Sequence, residues 1–272
     1  MVNHAGYEVL SNRGASAARL ALQAQGERLD LYVDALKVSA NDRVLDVGCG
    51  GGNLTRAVSE VTGAQVWGVD LDAAKIAHCR QTDLALGLDT HYLAGDVTSL
   101  DLSQKFSTVF CRYVLMYALP DQKCVNLLDA MARRVAPGGR LVLFEADINF
   151  GHRFHPPLPD WAISAFDCVI RYYRDRELID WRRGLSLVKL LGEAGYDGVS
   201  VEVVDCRLIR DGQPASLVAH DSLDIETLLE PALRMAGRER EMQKVADCYR
   251  DALCRPGGVC YTPVFKFTWV RP

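Results

Sequence analysis

Short apolar runs alternate with stretches of helical spacing through the first half of the chain. Five runs have the length of strands, and four of them end at or beside an acidic side chain. Between them, apolar residues at every third or fourth position predict helices. Alternating strands and helices of this length predict a parallel sheet with helices on both faces. The predicted strands cover residues 42–47, 64–70, 90–96, 106–117 and 140–147, and helices are predicted at 53–63, 72–87 and 121–136.

The alternation ends after Asp147. Residues 148–160 are rich in proline and glycine and predict a loop. A late strand, a helical insertion and a closing strand then follow, and this order predicts an antiparallel pair at the edge of the sheet. The later segments are predicted helices at 161–181, 184–195 and 215–254 and predicted strands at 199–210 and 258–271.

These changes of pattern divide the chain into four parts. We expect a helical cap at 1–36, a nucleotide-binding core at 37–147 and a lid insertion at 148–183. The last part, 184–272, is expected to complete the core and to carry a second helical insertion at 212–256.

Composition and charge narrow the classes of function. The formal net charge is −4, and no run of basic residues suggests a nucleic-acid or membrane-surface partner. No stretch approaches 18 uninterrupted apolar residues, and the first residues lack the pattern of a secretory signal. The nine cysteines are scattered and form no C-x-x-C pair, so neither a metal site nor a disulfide framework is expected. A reducing cytoplasm is therefore the predicted location.

A glycine cluster follows the first predicted strand and marks the main candidate site. Glycines at 48 and 50–52 allow a tight turn and leave room for a ligand against the backbone. Asp70 ends the next strand, where a carboxylate can accept hydrogen bonds from ribose hydroxyls. Because ligands of open α/β sheets bind at the carboxyl ends of strands, these features predict a nucleoside-binding corner.

The residues of this corner favour a cationic ligand over a dinucleotide. The dinucleotide fingerprint needs a third glycine at position 53, where this chain has Asn53. A pyrophosphate also favours a helix start without nearby anions, whereas Asp46 precedes this turn. S-adenosylmethionine carries an ammonium and a sulfonium group and no phosphate, so it suits the corner better.

Five motifs, in order and with suitable spacing, resemble those of the seven-stranded (class I) S-adenosylmethionine-dependent methyltransferases. They are VLDVGCGGG (44–52), WGVDLD (67–72), AGDV (94–97), FCRYVLMYALP (110–120) and RRVAPGGRLVLFE (133–145). The resemblance implies a Rossmann-like α/β fold, with a seven-stranded, mostly parallel sheet, an antiparallel last strand and helical cap and lid insertions. It also implies methyl transfer to an acceptor molecule.

The N-terminal residues resemble the cap of a bacterial subgroup that acts on small molecules, including natural-product enzymes. YEVLSNRGASAARLALQAQ (7–25) begins with a tyrosine and carries Arg19-Leu20 and Gln23 in the subgroup's pattern. Tyr7 is a candidate to close over the methionine end of the cofactor. A swap of this cap between subunits is a hypothesis for a homo-oligomer.

The cofactor candidates follow from the motifs and the strand ends. Asp46 is expected near the methionine amine and Asp70 at the ribose, and the resemblance implies that Asp96 faces the adenine amino group. The backbone of Cys111 or Arg112 is expected to touch the cofactor. The complete set of cofactor candidates is Tyr7, Gln23, Asp46, Gly48, Gly50, Asp70, Leu71, Asp96, Val97, Cys111 and Arg112.

The acceptor is expected beyond the fourth and fifth strands. Glu145 and Asp147 end the fifth strand, and one of them is a candidate general base or acceptor ligand. The alternative for both is a structural salt bridge with an arginine of the lid. Tyr113, Glu145 and His152 are the catalytic candidates, and Met116, Tyr117, Asp147, His155, Phe166 and Tyr173 are the substrate-binding candidates.

Each acceptor candidate also has a structural interpretation that the sequence leaves open. Phe166 and Tyr173 share one helix face, which predicts either core packing or an aromatic lid over a planar acceptor. Histidines in a proline-rich loop, such as His152 and His155, are more often structural. The sequence does not decide between O-, N- and C-methylation.

Two other classes of protein remain open at this stage. A nicotinamide-dependent oxidoreductase uses a similar sheet, although Asn53 and the absence of a clear Tyr-x-x-x-Lys motif disfavour it. A protein that binds S-adenosylmethionine without methylating anything has the same fold, and the fold alone does not exclude it.

Overall fold

The computed structural model describes residues 28–206, 209–210 and 225–272. The described strands are β1 (Arg43–Val47), β2 (Gln65–Asp70), β3 (Thr90–Ala94), β4 (Phe106–Arg112), β5 (Val135–Ala146), β6 (Phe154–His155), β7 (Ser200–Asp205), β8 (Ile209–Arg210), β9 (Val259–Cys260) and β10 (Val264–Val270). The described α-helices are α1 (Leu29–Leu36), α2 (Asn53–Thr62), α3 (Ala73–Leu86), α4 (Asp121–Arg134), α5 (Asp160–Asp175), α6 (Arg183–Glu193), α7 (Ile225–Met235) and α8 (Met242–Leu253).

A seven-stranded sheet with the order β3-β2-β1-β4-β5-β10-β7 forms the centre of the molecule. Its first five strands are parallel, and β10 runs antiparallel to both β5 and β7. The predicted Rossmann-like α/β fold is therefore confirmed, including the antiparallel last strand. This order places the carboxyl ends of β1, β2, β4 and β5 along one edge, where ligands of such sheets bind.

Apolar clusters cover both faces of the sheet, which explains why its central strands are continuous apolar runs. On one face, α1 and α2 pack against alternate strand residues such as Val44, Phe110 and Phe144. On the other, α4 and α6 pack against the intervening residues, such as Leu45 and Leu143. We call these the α1–α2 face and the α4–α6 face.

A second hydrophobic unit, here called the cover, consists of residues 148–183 and 225–260. Its helices α5, α7 and α8 share a buried cluster with the loop that precedes α5. A small sheet of the order β6-β9-β8 lies beside them. Aromatic contacts are frequent in this cluster: Phe166 lies 5.9 Å from Phe150 and 5.3 Å from Tyr249, measured between ring centroids.

Several predicted boundaries are wrong, and backbone geometry explains two of them. The predicted strand 106–117 stops at Arg112 because Tyr113 has a φ of 58° and leaves the extended conformation. The predicted helix 161–181 stops at Asp175, shortly before Glu177 with a φ of 54°.

The other boundary errors merged or missed short elements. The predicted strand 258–271 is two strands that belong to different sheets, β9 and β10, and the predicted strand 199–210 likewise contains β7 and β8. The predicted helical stretch 215–254 is interrupted between α7 and α8 where it is described. The predicted loop 148–160 contains β6, and β5 begins five residues before the predicted strand at 140.

Among the described residues, every helix is too short or too polar to cross a membrane.

Candidate functional site

The turn between β1 and α2 is built from glycines in a left-handed backbone conformation. Gly48, Gly50 and Gly52 have φ angles of 76°, 54° and 74°, which glycine adopts without steric cost. A Cβ atom at Gly48 would lie 2.3 Å from Cγ2 of Val114, so the turn packs tightly against the loop after β4. At Gly50 and Gly51, no described atom outside the adjacent residues lies within 4 Å of such a position. The turn is therefore closely packed at its start and open in its middle.

Asp70, at the end of β2, holds this turn from the side. Its Oδ2 accepts a hydrogen bond from the Gly50 amide at 2.8 Å, and its Oδ1 accepts one from the Asp72 amide at 2.9 Å. Burial raises the pKa of this carboxyl above its ordinary value. The N-terminal cap of α3 is Asp72, whose Oδ1 accepts from the amides of Ala74 and Lys75. Asp70 therefore belongs to the glycine turn and not to the helix cap.

Asp46 lies on the α1–α2 face of β1 and is almost completely buried. Its Oδ2 accepts a hydrogen bond from Thr55 Oγ1 at 2.7 Å. Burial raises its pKa to about 7, against the opposing effects of Thr55 and of the Arg112 guanidinium. The carboxyl thus lies behind the turn and is tied to α2.

The loop after β3 carries the next two candidates. Asp96 Oδ1 accepts hydrogen bonds from the backbone amide and the hydroxyl of Thr98, at 2.9 and 2.8 Å. The Val97 side chain is buried on the α4–α6 face, so its backbone is the part available to a ligand. Leu71, after β2, is partly exposed.

Cys111 and Arg112 end β4 and point to opposite faces of the sheet. The Cys111 side chain is fully buried on the α4–α6 face, and burial raises the pKa of its thiol well above the ordinary value. The Arg112 guanidinium lies over two aromatic rings, 5.1 Å from the centroid of Tyr32 and 5.0 Å from that of Tyr113. The thiol is unsuited to act as a nucleophile, since the thiolate is the reactive form.

Tyr113 leaves the sheet in a conformation that tyrosine adopts rarely. Its φ is 58°, and its amide donates to the carbonyl of Phe144 at 2.9 Å. Strained backbone conformations of this kind persist only where the surrounding structure holds them, and they cluster at functional sites. The Tyr113 side chain packs between the cover and the α1–α2 face, and its hydroxyl lies 2.8 Å from that of Tyr32. Tyr32 in turn donates to Asp205 Oδ2 over 3.5 Å.

Glu145 lies where the sequence places it, at the end of β5, but its side chain is 0% exposed. Its Oε1 accepts hydrogen bonds from the amides of Val114 and Leu115, at 2.9 and 2.6 Å. Its Oε2 has no hydrogen-bond partner among the described residues. Burial raises the pKa of the carboxyl to about 8. This geometry favours holding the loop after β4 over acting as a general base.

Asp147 adopts the structural salt bridge that was the alternative to a catalytic role. Its Oδ1 lies 2.8 Å from Nε of Arg182, an arginine of the cover. The same part of the cover is joined to the loop after β4, because the Asp180 amide donates to the carbonyl of Met116 at 2.8 Å. These contacts tie the base of the cover to the edge of the sheet.

The aromatic candidates of α5 form the interior of the cover. Phe166 and Tyr173 are both buried in the cover cluster, so packing within the cover accounts for their shared face. Met116 is buried in the same cluster, whereas Tyr117 is partly exposed at its margin. Of these four side chains, Tyr117 is the most accessible to an acceptor.

His152 and His155 are exposed on the outside of the cover. Nowhere in the described part of the chain do three or more histidine, cysteine or acidic side chains gather as they would around a metal ion. The cap candidates Tyr7 and Gln23 lie outside the described residues.

Sequence reasoning missed Tyr32 and Asp205. Tyr32 lies in α1, within a segment that was assigned as a whole to the cap, so its approach to β4 was not visible. Asp205 ends β7 and carries the same signal that singled out Asp70 and Asp147, an acidic residue at the end of a strand. The predicted strand ran through it to residue 210 and concealed that signal.

Known proteins resemble this chain in sequence. Residues 44–139 match a family described as a methyltransferase domain. A ubiquinone biosynthesis O-methyltransferase of Pseudomonas entomophila (strain L48) is 33% identical over 176 residues, which cover 59% of this chain and 72% of the relative. Its counterpart in Stutzerimonas stutzeri (strain A1501) is 30% identical over the same shares of the two chains.

Solved structures share the fold at low sequence identity. Phosphoethanolamine N-methyltransferase 2 of Haemonchus contortus superposes with a TM-score of 0.56 at 17% identity, over 91% of this chain and 52% of that one. YjhP from E. coli superposes with a TM-score of 0.55 at 16% identity, over 97% and 100%. This chain thus spans about half the length of the Haemonchus contortus enzyme.

The fold and the relatives together define the class of protein. The chain belongs to the class I S-adenosylmethionine-dependent methyltransferases. It is an enzyme that uses S-adenosylmethionine to methylate a small molecule, and the oxidoreductase and non-methylating alternatives fall away.

The glycine turn fits this cofactor. In the part of the chain that the structure describes, the space beside Gly50 and Gly51 is open and leaves backbone for a ligand to lie against. Asp70 offers carboxylate oxygens at the end of the neighbouring strand, where ribose hydroxyls are bound in such sheets.

Proposed function

We propose that this enzyme transfers the methyl group to a hydroxyl oxygen of a small planar acceptor. The observation that carries the proposal is the Tyr113 hydroxyl, held 2.8 Å from the Tyr32 hydroxyl between the cover and the sheet edge. The relatives at 30–33% identity are named O-methyltransferases of ubiquinone biosynthesis, and ubiquinone has a planar quinone ring.

The cofactor would occupy the corner formed by the ends of β1, β2, β3 and β4. In this proposal Asp70 binds the ribose hydroxyls, Asp96 and Val97 face the adenine, and Asp46 contributes negative potential near the methionine amine. Backbone groups would provide most other contacts. The remaining proposed contacts are Gly48, Gly50, Leu71, Cys111 and Arg112, together with Tyr7 and Gln23 on the evidence of sequence alone.

The Tyr113 hydroxyl would accept a hydrogen bond from the acceptor hydroxyl, because the hydrogen bonds of Tyr113 and Tyr32 run in one direction. If Tyr32 donates to Asp205, the Tyr113 hydroxyl donates to Tyr32, and its oxygen is left to accept from the acceptor's O–H. Burial raises the pKa of Tyr32 well above its ordinary range, so Tyr32 stays protonated and passes a proton only by exchange. The three residues form a chain from the acceptor to a carboxylate.

Proton transfer along this chain would accompany the methyl transfer. S-adenosylmethionine supplies a methyl group on a cationic sulfur, which keeps the S–C electron pair and leaves as S-adenosylhomocysteine when the acceptor oxygen bonds to carbon. The acceptor's proton moves to Tyr113, the Tyr113 proton to Tyr32 and the Tyr32 proton to Asp205. General-base assistance of this kind typically contributes about 10²–10⁴ in rate.

Other candidates take supporting positions in this proposal. Glu145 holds the loop that presents Tyr113, and Asp147 anchors the cover through Arg182. Met116 and Tyr117 would border the acceptor, and Phe166 and Tyr173 would support the cover from within. His152 and His155 would reach the acceptor only if the cover moved.

The setting of the enzyme is also a proposal. All nine cysteines are free, which supports a reducing compartment such as the cytoplasm. Natural-product metabolism remains a hypothesis that rests on the N-terminal resemblance, whereas the relatives named for ubiquinone biosynthesis favour a quinone pathway. Association through the cap likewise depends on residues outside those described.

The test is methyl transfer from labelled S-adenosylmethionine to catechol and to 3,4-dihydroxybenzoic acid, with 1,2-diaminobenzene as the nitrogen-bearing counterpart. We expect O-methylated products from the diols, reduced at least about tenfold in Tyr113→Phe. Tyr196→Phe is the matched control, since its hydroxyl donates to Asp129 at 2.8 Å on the α4–α6 face. Methylation of the diamine alone, or equal losses in both variants, would contradict the proposal.

A further inference from the structure

A buried ion pair lies beside the glycine turn, between helices α2 and α3. Asp83 of α3 is 2% exposed, and its Oδ1 pairs with the Arg56 guanidinium of α2. Its Oδ2 accepts hydrogen bonds from Thr90 Oγ1 at 2.6 Å and from the Tyr92 hydroxyl at 2.7 Å. One carboxylate thus joins α2, α3 and β3.

The side chains around this carboxylate reach the middle glycines of the turn. Arg56 Nη2 donates to the Gly51 carbonyl at 3.1 Å. The Tyr92 hydroxyl lies 2.7 Å from where a Cβ of Gly52 would be. The Arg56 and Tyr92 side chains therefore both pack against the turn.

A third side chain, that of Cys79, also contacts the turn. Cys79, also in α3, donates from Sγ to the Gly50 carbonyl at 3.5 Å, and it packs in one small cluster with Tyr92. Three consecutive glycines are thus contacted by side chains that meet at or beside Asp83. Asp70 in addition accepts from the Gly50 amide.

The chemistry of the network makes it rigid. A buried carboxylate must keep its partners, because removal of one leaves an uncompensated charge in a poorly solvated place. Burial and the bond to Asp83 raise the pKa of Tyr92 above its ordinary range, so its hydroxyl remains a donor. The carbonyls of Gly50 and Gly51 accept from Cys79 and Arg56, and among the described residues the space at the Cβ positions of these two glycines is open.

We propose that Asp83 is a positioning residue for S-adenosylmethionine. Through Arg56 and Tyr92 it fixes residues 50–52 in the shape that receives the cofactor, without touching the cofactor itself. Binding sites depend on such supporting side chains because they hold the contacting groups within a fraction of an ångström of the required geometry. The proposal rests on the established use of this cofactor and is independent of the acceptor.

The experiment measures the affinity for S-adenosylhomocysteine by calorimetry in wild type, Asp83→Asn and Tyr92→Phe. We expect affinity to fall about tenfold in Asp83→Asn and about threefold in Tyr92→Phe, since each change weakens a buried hydrogen-bonded network. Hydrogen exchange of the amides of residues 50–53 in the ligand-free protein should be faster in both variants.

Asp129→Asn and Tyr196→Phe are the matched controls, because Tyr196 and Asp129 form another tyrosine–aspartate pair, on the α4–α6 face. They should lower the melting temperature to a similar extent and leave the affinity within about twofold of wild type. If Asp83→Asn fails to fold, Tyr92→Phe decides the question. Unchanged affinity in the folded variants, or equal losses in the controls, would overturn the proposal.

Discussion

The glycine turn and the cover meet at the same edge of the sheet but are built from different contacts. Hydrogen bonds to backbone groups hold the turn, because Asp70 accepts from the Gly50 amide, Arg56 donates to the Gly51 carbonyl and Cys79 donates to the Gly50 carbonyl. The cover is held by contacts among large aromatic side chains such as Phe150, Phe166 and Tyr249.

Because of this difference, we expect the glycine turn and the cover to tolerate amino-acid substitutions to different extents. A backbone fixed by directional bonds accepts few substitutions, because a change in φ or an added Cβ moves the binding groups themselves. An aromatic core accepts changes of similar volume more readily, since packing requires shape and total volume more than direction. The cofactor corner should therefore resist change, while the cover can be altered without loss of cofactor binding.

The largest expected effect comes from removing an aromatic ring from the cover. Phe166→Ala should lower the free energy of unfolding by about 3–5 kcal/mol, because Phe166 is fully buried in the cover cluster. Affinity for S-adenosylhomocysteine, measured by calorimetry below the melting temperature, should stay within about threefold of wild type. Leu84→Ala, at a side chain that is 83% exposed, is the control for stability. A large loss of affinity for S-adenosylhomocysteine in Phe166→Ala would show that cofactor binding depends on the packing of the cover.

The next effect tests the turn in the opposite way. Gly48→Ala should lower the free energy of unfolding by about 3 kcal/mol, because the new Cβ meets Val114 and a φ of 76° is unfavourable for alanine. Gly51→Ala is the matched control, since no described atom lies within 4 Å of its Cβ position. Denaturant unfolding of both variants gives the comparison. Equal stability of the two would mean that the turn is looser than its packing indicates.

Asp70 allows a smaller and more specific perturbation of the corner. Asp70→Ala should weaken binding of S-adenosylhomocysteine by about 10- to 100-fold, through loss of hydrogen bonds to a charged group. Asp72→Ala removes the cap of α3 and should cost about 1 kcal/mol of stability with little change in affinity. Calorimetry and thermal unfolding separate the two roles. The reverse pattern would assign the nucleoside to Asp72.

The smallest effect, taken over a single pH unit, is the pH dependence of stability that Glu145 causes. Its pKa rises from 4.5 to about 8 on folding because the carboxyl is buried. The folded state therefore binds this proton more tightly than the unfolded state, and its contribution to stability is lost as the pH rises towards 8. The decline is at most about 1.4 kcal/mol per pH unit. In Glu145→Gln the stability curve between pH 5 and 8 should be flatter than in wild type, and parallel curves would argue against this burial.

The parallel part of the sheet was predictable because local signals mark where most of its strands lie. Apolar runs of strand length, the glycine turn and acidic strand ends all agree for β1 and β2. The antiparallel pair was predicted from the order of the later segments, in which a helical insertion separates the last two predicted strands. The end of β4 was not predictable, because nothing local in Tyr113 encodes a positive φ. That conformation depends on Glu145 binding the next two amides, a contact between residues far apart in the sequence.

The candidate site was predictable in its cofactor half and much less so in its acceptor half. Periodicity identified the buried face of α5 but did not say what it packs against, and its partners in α7 and α8 come much later in the chain. For Glu145, the alternation of side chains along the strand indicates which face of the sheet the carboxyl lies on. It sits between Phe144 and Ala146, which face α1 and α2, so its own side chain turns to the α4–α6 face.

The position of β10 has a consequence for how the chain reaches its folded state. This strand is inserted between β5 and β7, and its partner β5 lies far upstream in the sequence. Contacts of such separation form late, because the entropy of closing a long loop is lost before the contact can compensate for it. Until β10 docks, β5 and β7 each expose a row of unpaired amides and carbonyls, which other unfinished chains can bind. During synthesis, the gap between these two strands is therefore the place where aggregation would begin.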